Sequence, residues 1–109
     1  MKQSDKIVCC CGAGQVRSVA TRKIFNDDFH FTNVLAAGME SNSMETLRML
    51  FEWADHIIII GEVGLYNKVP QEYRVKSTHF NIGQDIWINP FHLQLRALLM
   101  PLVKELVSK

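Results

Sequence analysis

The stretch Cys11-Gly12-Ala13-Gly14-Gln15-Val16-Arg17-Ser18 concentrates the reactive side chains of this chain: a cysteine, five intervening residues, an arginine and a serine. A loop with two glycines can turn its backbone N–H groups inward as an anion nest, and a helix that follows adds the positive end of its dipole. A phosphate fits such a nest. Gly12, Ala13, Gly14, Gln15, Val16 and Ser18 would surround it, and the planar fork of Arg17 would grip two of its oxygens. The same field favours a thiolate, so Cys11 is the expected nucleophile, whereas Cys9 and Cys10 are expected to sit inert in the strand before it. A glycine-rich turn between a strand and a helix also occurs purely for tight packing. Its place at the end of a first strand weighs toward chemistry, because there the dipole and the nest act together.

The elements that must hold this loop are read from hydrophobic period. Ile7 to Cys10 is an unbroken apolar run, as in a strand buried on both faces. Val16, Ala20 and Ile24 recur at helical spacing, with Ser18 as the expected N-cap of a helix over Val19 to Phe25. Thr32 to Ala37 reads as a second strand stopped by Gly38. Asn42 and Glu45 form an expected capping pair for a helix carrying Met44, Leu47, Leu50, Phe51 and Ala54 on one face. His56 to Ile60 contains four consecutive isoleucines and predicts a central strand. Glu62 to Lys76 is weakly patterned and suggests a short helical turn or loop. Thr78 to Ile82 alternates like an edge strand. Asn89-Pro90 is the expected start of a last helix with a stripe of Phe91, Leu95, Leu98, Leu102 and Leu106, kinked at Pro101.

Strand and helix thus alternate, which predicts a single α/β domain over residues 1–109, doubly wound, with a four-stranded parallel sheet and helices on both faces. In such sheets ligands sit beyond the carboxyl ends of the strands, so the loops after Cys10, Ala37, Gly61 and Ile82 are expected to line the site.

Composition agrees with one small globular unit: 109 residues, 48% hydrophobic and 21% charged, enough apolar surface for a core. The formal charge of +1 provides no broad field for nucleic acid or a membrane surface, and neither is an expected partner. No apolar run reaches transmembrane length and the first residues lack a secretory pattern, so a cytoplasmic protein is expected. Three consecutive cysteines cannot staple distant loops, and the scattered His30, His56, His79 and His92 offer no metal-ligand spacing. No metal or cofactor is expected.

The first strand and its loop resemble the low-molecular-weight protein tyrosine phosphatases, whose signature is an apolar strand, Cys, five residues, Arg and Ser at the first crossover. Ala37-Gly38, the run Trp53-Ala54-Asp55-His56-Ile57-Ile58 and an aspartate-containing loop before the last helix are similar to the compact bacterial and phage-like members. The resemblance spans nearly the whole chain, though only the first loop is specific. It implies a two-step phosphoryl transfer through a cysteinyl-phosphate, with Arg17 and the loop N–H groups holding the oxygens. Ser18 then donates a hydrogen bond to the thiolate. A leaving-group proton comes from an aspartate on the last long loop, where Asp85 is the one carboxylate between Ile82 and Pro90.

Trp87, in the same loop, could stack on an aromatic substrate or anchor the loop on the last helix. The family commonly carries asparagine where Gly14 stands and often a second cysteine where Val16 stands. Its Asp-Pro pair with tyrosines is replaced by Gln84-Asp85-Ile86-Trp87, which leaves both a phosphorylated protein and a small phosphomonoester open as substrate. Three alternatives share the fold. A phosphate-binding module would need neither nucleophile nor acid. A phosphocysteine carrier like the IIB domains of the sugar phosphotransferase system does not normally carry the arginine. An arsenate reductase would pass oxidation to later cysteines, and none follows Cys11.

Overall fold

Five consecutive apolar residues with no polar partner require cover on both sides, and Ile7–Cys11 (β1) lies at the centre of the sheet with all five side chains fully buried. In the computed structural model, which describes residues 1–109, β1 is joined by Val34–Gly38 (β2), His56–Ile60 (β3) and Ser77–Phe80 (β4) in the order β2-β1-β3-β4, every pair parallel. Register pairs Cys10 with Ala37 on one side and with Ile59 on the other. The helices are Arg17–Phe29 (α1), Met44–Trp53 (α2), the single turn Val63–Tyr66 (α3) and Leu93–Val107 (α4), with a 3-10 segment over Gln71–Lys76. No helix is long and apolar enough to cross a membrane.

Strand alternation divides the core into two layers. Ile7, Cys9, Ile58, Ile60 and Phe80 pack with Ile24 and Phe25 of α1 and Leu95, Leu99 and Val103 of α4. Val8, Cys10, Ile57 and Ile59 face the other way, onto Leu47 and Phe51 of α2 and Leu65 of α3. Helices therefore cover both faces, as in a doubly wound domain. Arg96 of α4 closes its layer with a two-bond fork on Asp28 of α1, at 3.0 and 2.6 Å, and holds that carboxyl below its usual pKa. Truncating the fully buried Ile58 to alanine should cost about 2–5 kcal/mol. Denaturant unfolding would show this as a lowered midpoint at unchanged slope.

Several boundaries depart from the sequence reading. Ser18 is not an N-cap: α1 begins at Arg17, its cap position Val16 makes no side-chain bond, and it runs on to a left-handed His30 (φ 63°). With no glycine there, nothing in the sequence marks that end. Ser43, not Asn42, caps α2 by accepting the Thr46 N–H at 3.1 Å, while Asn42 Nδ2 donates to the Gly38 carbonyl at 2.9 Å. The last helix starts four residues after Asn89, with His92 Nδ1 accepting from Gln94 N–H. Its buried stripe is therefore Leu95, Leu99 and Val103, and Phe91 and Leu98 stay exposed. The fourth strand spans Ser77–Phe80 rather than Thr78 to Ile82. Helix α4 continues through Pro101, and both Pro101 and Ala97, whose carbonyl loses the proline's missing amide, lie on the solvent side.

Candidate functional site

Order β2-β1-β3 reverses the direction of winding between β1 and β3, so a crevice opens beyond their carboxyl ends. The loop from Gly12 to Val16 crosses this crevice. Its conformation is secured by main-chain bonds to the segment after β2: Met39 N–H donates to the Cys11 carbonyl at 2.7 Å and Glu40 N–H to the Gly12 carbonyl at 2.9 Å. Ser41 Oγ adds a bond to the Ala13 carbonyl at 3.2 Å. Gly14 has φ of 75°, and a Cβ there would lie 2.5 Å from the Gly38 amide nitrogen. Both the left-handed backbone and the close approach therefore require glycine.

At the foot of the loop Cys11 Sγ lies 3.2 Å from Ser18 Oγ and accepts the Gly14 N–H at 3.3 Å. Cys11 and Ser18 are fully buried. The first backbone bond of α1 runs from Ala20 N–H to the Val16 carbonyl at 2.9 Å. The amides ahead of it on the first turn have no intrahelical acceptor and leave the positive helix end open at the loop. Cys10, one residue earlier, is pushed up to about 12 by burial, and burial likewise raises Cys9 well above the ordinary thiol range. Both remain thiols at neutral pH and cannot compete as nucleophiles.

Arg17 is buried to 2% exposure, with its guanidinium in the crevice. Its Nη1 donates to Glu62 Oε1 at 2.8 Å and to the Gly83 carbonyl at 2.9 Å. Asp85 Oδ2 stands 3.9 Å from Nε, within charge range but too far for a hydrogen bond, and Nε is left without a partner. Space for the guanidinium comes from Gly61, where a Cβ would fall 2.6 Å from Nη1. The bond from Arg17 holds the Glu62 carboxyl below its usual pKa.

These groups line an open cleft of about 500 Å³ formed by Gly12, Ala13, Arg17 and Asp85 together with Glu40, Ser41, Glu62 and Gln84. Arg17 from the first loop and Asp85 from the last thus meet in the cleft, while Cys11 and Ser18 are fully buried beside that first loop and do not line the cleft. Trp87 does not line the cleft. It packs against the α1/α4 core layer and meets His92 edge to face, with ring centroids 5.1 Å apart. Glu62, Glu40 and Gly83 were not singled out from the sequence. Glu62 follows Gly61 at the end of β3, and its place on that switch-point loop is the signal that could have identified it. The crevice offers an oxyanion one guanidinium with three carboxylates around it, and the Cys11 sulfur lies buried beside the loop that forms its edge. No family model, no curated protein and no solved structure matches this chain.

Proposed function

We propose that the protein is a cysteine-dependent phosphatase of the low-molecular-weight protein tyrosine phosphatase type, hydrolysing phosphomonoesters. One observation carries the reading. Cys11 Sγ sits between the Ser18 hydroxyl and the Gly14 N–H at the foot of a loop whose far end presents Arg17. In the proposed first step the Cys11 thiolate attacks phosphorus, an S–P bond forms, and the ester P–O bond breaks. Asp85 gives its proton to the departing oxygen. In the second step water attacks phosphorus, Asp85 accepts the water's proton, and the S–P bond breaks to return the thiolate and release inorganic phosphate. Ser18 Oγ and the Gly14 N–H stabilise the sulfur as it regains charge, and Arg17 with the free amides of the loop neutralises the equatorial oxygens.

The test is hydrolysis of 4-nitrophenyl phosphate by the reduced protein between mildly acidic and neutral pH, beside a Cys11→Ser control. Turnover confined to the wild type supports the reading, and no turnover by the folded wild type overturns it. The complete burial of Cys11 favours a second reading, a module that binds phosphate without turnover, for which wild type and Cys11→Ser would bind phosphate equally and neither would hydrolyse the ester.

Asp85→Asn should separate esters by leaving group. A proton donor matters most where the departing oxygen is strongly basic. Phenyl phosphate should therefore slow about 100-fold or more, and 4-nitrophenyl phosphate far less. Equal slowing of the two, measured as kcat, removes Asp85 from the acid role.

A further inference from the structure

The cleft around Arg17 is acidic, and no aromatic side chain lines it. Glu40, Glu62 and Asp85 face a single cation, and Ala13 is the one apolar residue of the lining. Glu62 is already paired with Arg17. Glu40 is exposed and has no cationic partner, and its carboxylate stands directly over the loop, since a Cβ on Gly12 would lie 2.8 Å from Glu40 Oε1. Asp85 also lines the cleft, 3.9 Å from Arg17 Nε. That Nε is buried and lacks any hydrogen-bond partner, although the side chain lines the cleft. The crevice thus offers an unmet donor, Arg17 Nε, for an anion and one carboxylate, Glu40, that no cation partners.

A phosphate that satisfies Arg17 must leave the rest of the ester among those carboxylates. An apolar ring finds no wall there, because Trp87 is turned into the core. A negatively charged carrier is repelled, and a positively charged one is attracted. We infer that the preferred substrate is a zwitterionic phosphomonoester, in which the group bearing the phosphate also carries an ammonium or guanidinium. The inference rests on the phosphatase reading and adds the substrate class. Glu40, rather than Glu62, is the residue that selects it, since Glu62 is occupied by Arg17.

Three phenyl phosphates that differ in remote charge test this, with aminomethyl, hydroxymethyl or the somewhat larger carboxymethyl group opposite the phosphate. The methylene spacer keeps the leaving groups alike, so the comparison reads the remote charge. The ammonium ester should exceed the hydroxyl ester in kcat/KM by about ten-fold, and the carboxylate ester should be the poorest. The preference should shrink as salt is raised. Glu40→Gln, an exposed substitution of one atom, should reduce the ammonium-to-hydroxyl ratio to within about three-fold of unity. Equal values for the three esters, or a ratio that Glu40→Gln leaves intact, overturns the inference. If the folded protein hydrolyses none of them, the phosphatase reading itself fails. Calorimetric binding of the same three esters then decides the charge preference, with equal affinities overturning it.

Discussion

Cys11→Ser is expected to fold like the wild type and to lose all measurable turnover, a fall of about 10⁴ or more in kcat. The expected retention of fold follows from the environment of Sγ. A serine hydroxyl can bond the same two groups, Ser18 Oγ and the Gly14 N–H, in place of a buried sulfur of slightly larger size. The loss of activity follows from the same two partners. Neither is a base, so nothing in contact with this position can take the proton of a serine hydroxyl. A thiol needs far less help, because its proton leaves several pH units lower than that of an alcohol. Thermal unfolding and far-UV dichroism establish the fold, and 4-nitrophenyl phosphate hydrolysis establishes the loss. Substantial residual turnover in the serine protein would transfer the chemistry to another group and end the cysteinyl-phosphate mechanism.

Arg17→Ala is expected to lower kcat/KM by about 10³-fold, or ~4 kcal/mol of transition-state stabilisation. The effect is large because Arg17 is the one cation of the cleft. Without it a phosphate dianion would approach Glu40, Glu62 and Asp85 with only amide dipoles in its favour. The consequences for the fold are smaller. Glu62 is half-exposed and becomes a solvated carboxylate, while the Gly83 carbonyl loses its donor and the loop before α4 loses one tie. Arg17→Lys should recover little, because an ammonium supplies the charge without the fork that joins Glu62, Gly83 and the phosphate. Unfolding by urea measures the structural part and steady-state kinetics the catalytic part. A loss below ten-fold in kcat/KM, with a comparable loss of stability, would make Arg17 a strut between β3 and the last loop.

Much of the architecture was legible because its signals are local. The unbroken runs Ile7–Cys11 and Ile57–Ile60 permit only strands covered on both faces. Alternation with helical segments then leaves a parallel, doubly wound sheet as the economical solution. The loop from Cys11 to Ser18 is contiguous, so its grouping of thiol, amides and guanidinium could be seen in eight residues. Boundaries were harder to read where the signal was shared between neighbours. Ser43 stands beside Asn42 and either can cap α2, and His30 closes α1 in a conformation the sequence does not mark. Where α4 begins selects its buried stripe, so placing the start at Asn89 also misplaced Phe91 and Leu98.

The partners of Arg17 were not legible, and the reason is distance along the chain. Glu62 lies 45 positions away and Gly83 lies 66 positions away, and only the order β2-β1-β3-β4 brings their loops to the end of β1. The same holds for Glu40, which reaches the loop because Met39 and Glu40 continue the pairing of β2 with β1. Ser18 shows the converse. Its residue type suggested a cap, but the helix starts one residue earlier and turns its hydroxyl inward onto Cys11. The amino-acid order therefore specifies the strands, the helices and the reactive loop, since each depends on neighbours within a few residues. The charge of the cleft, the pairing of its arginine and the packing of Trp87 on the core arise only when the loops after the four strands meet at one end of the sheet, because those interactions join residues that no local period relates.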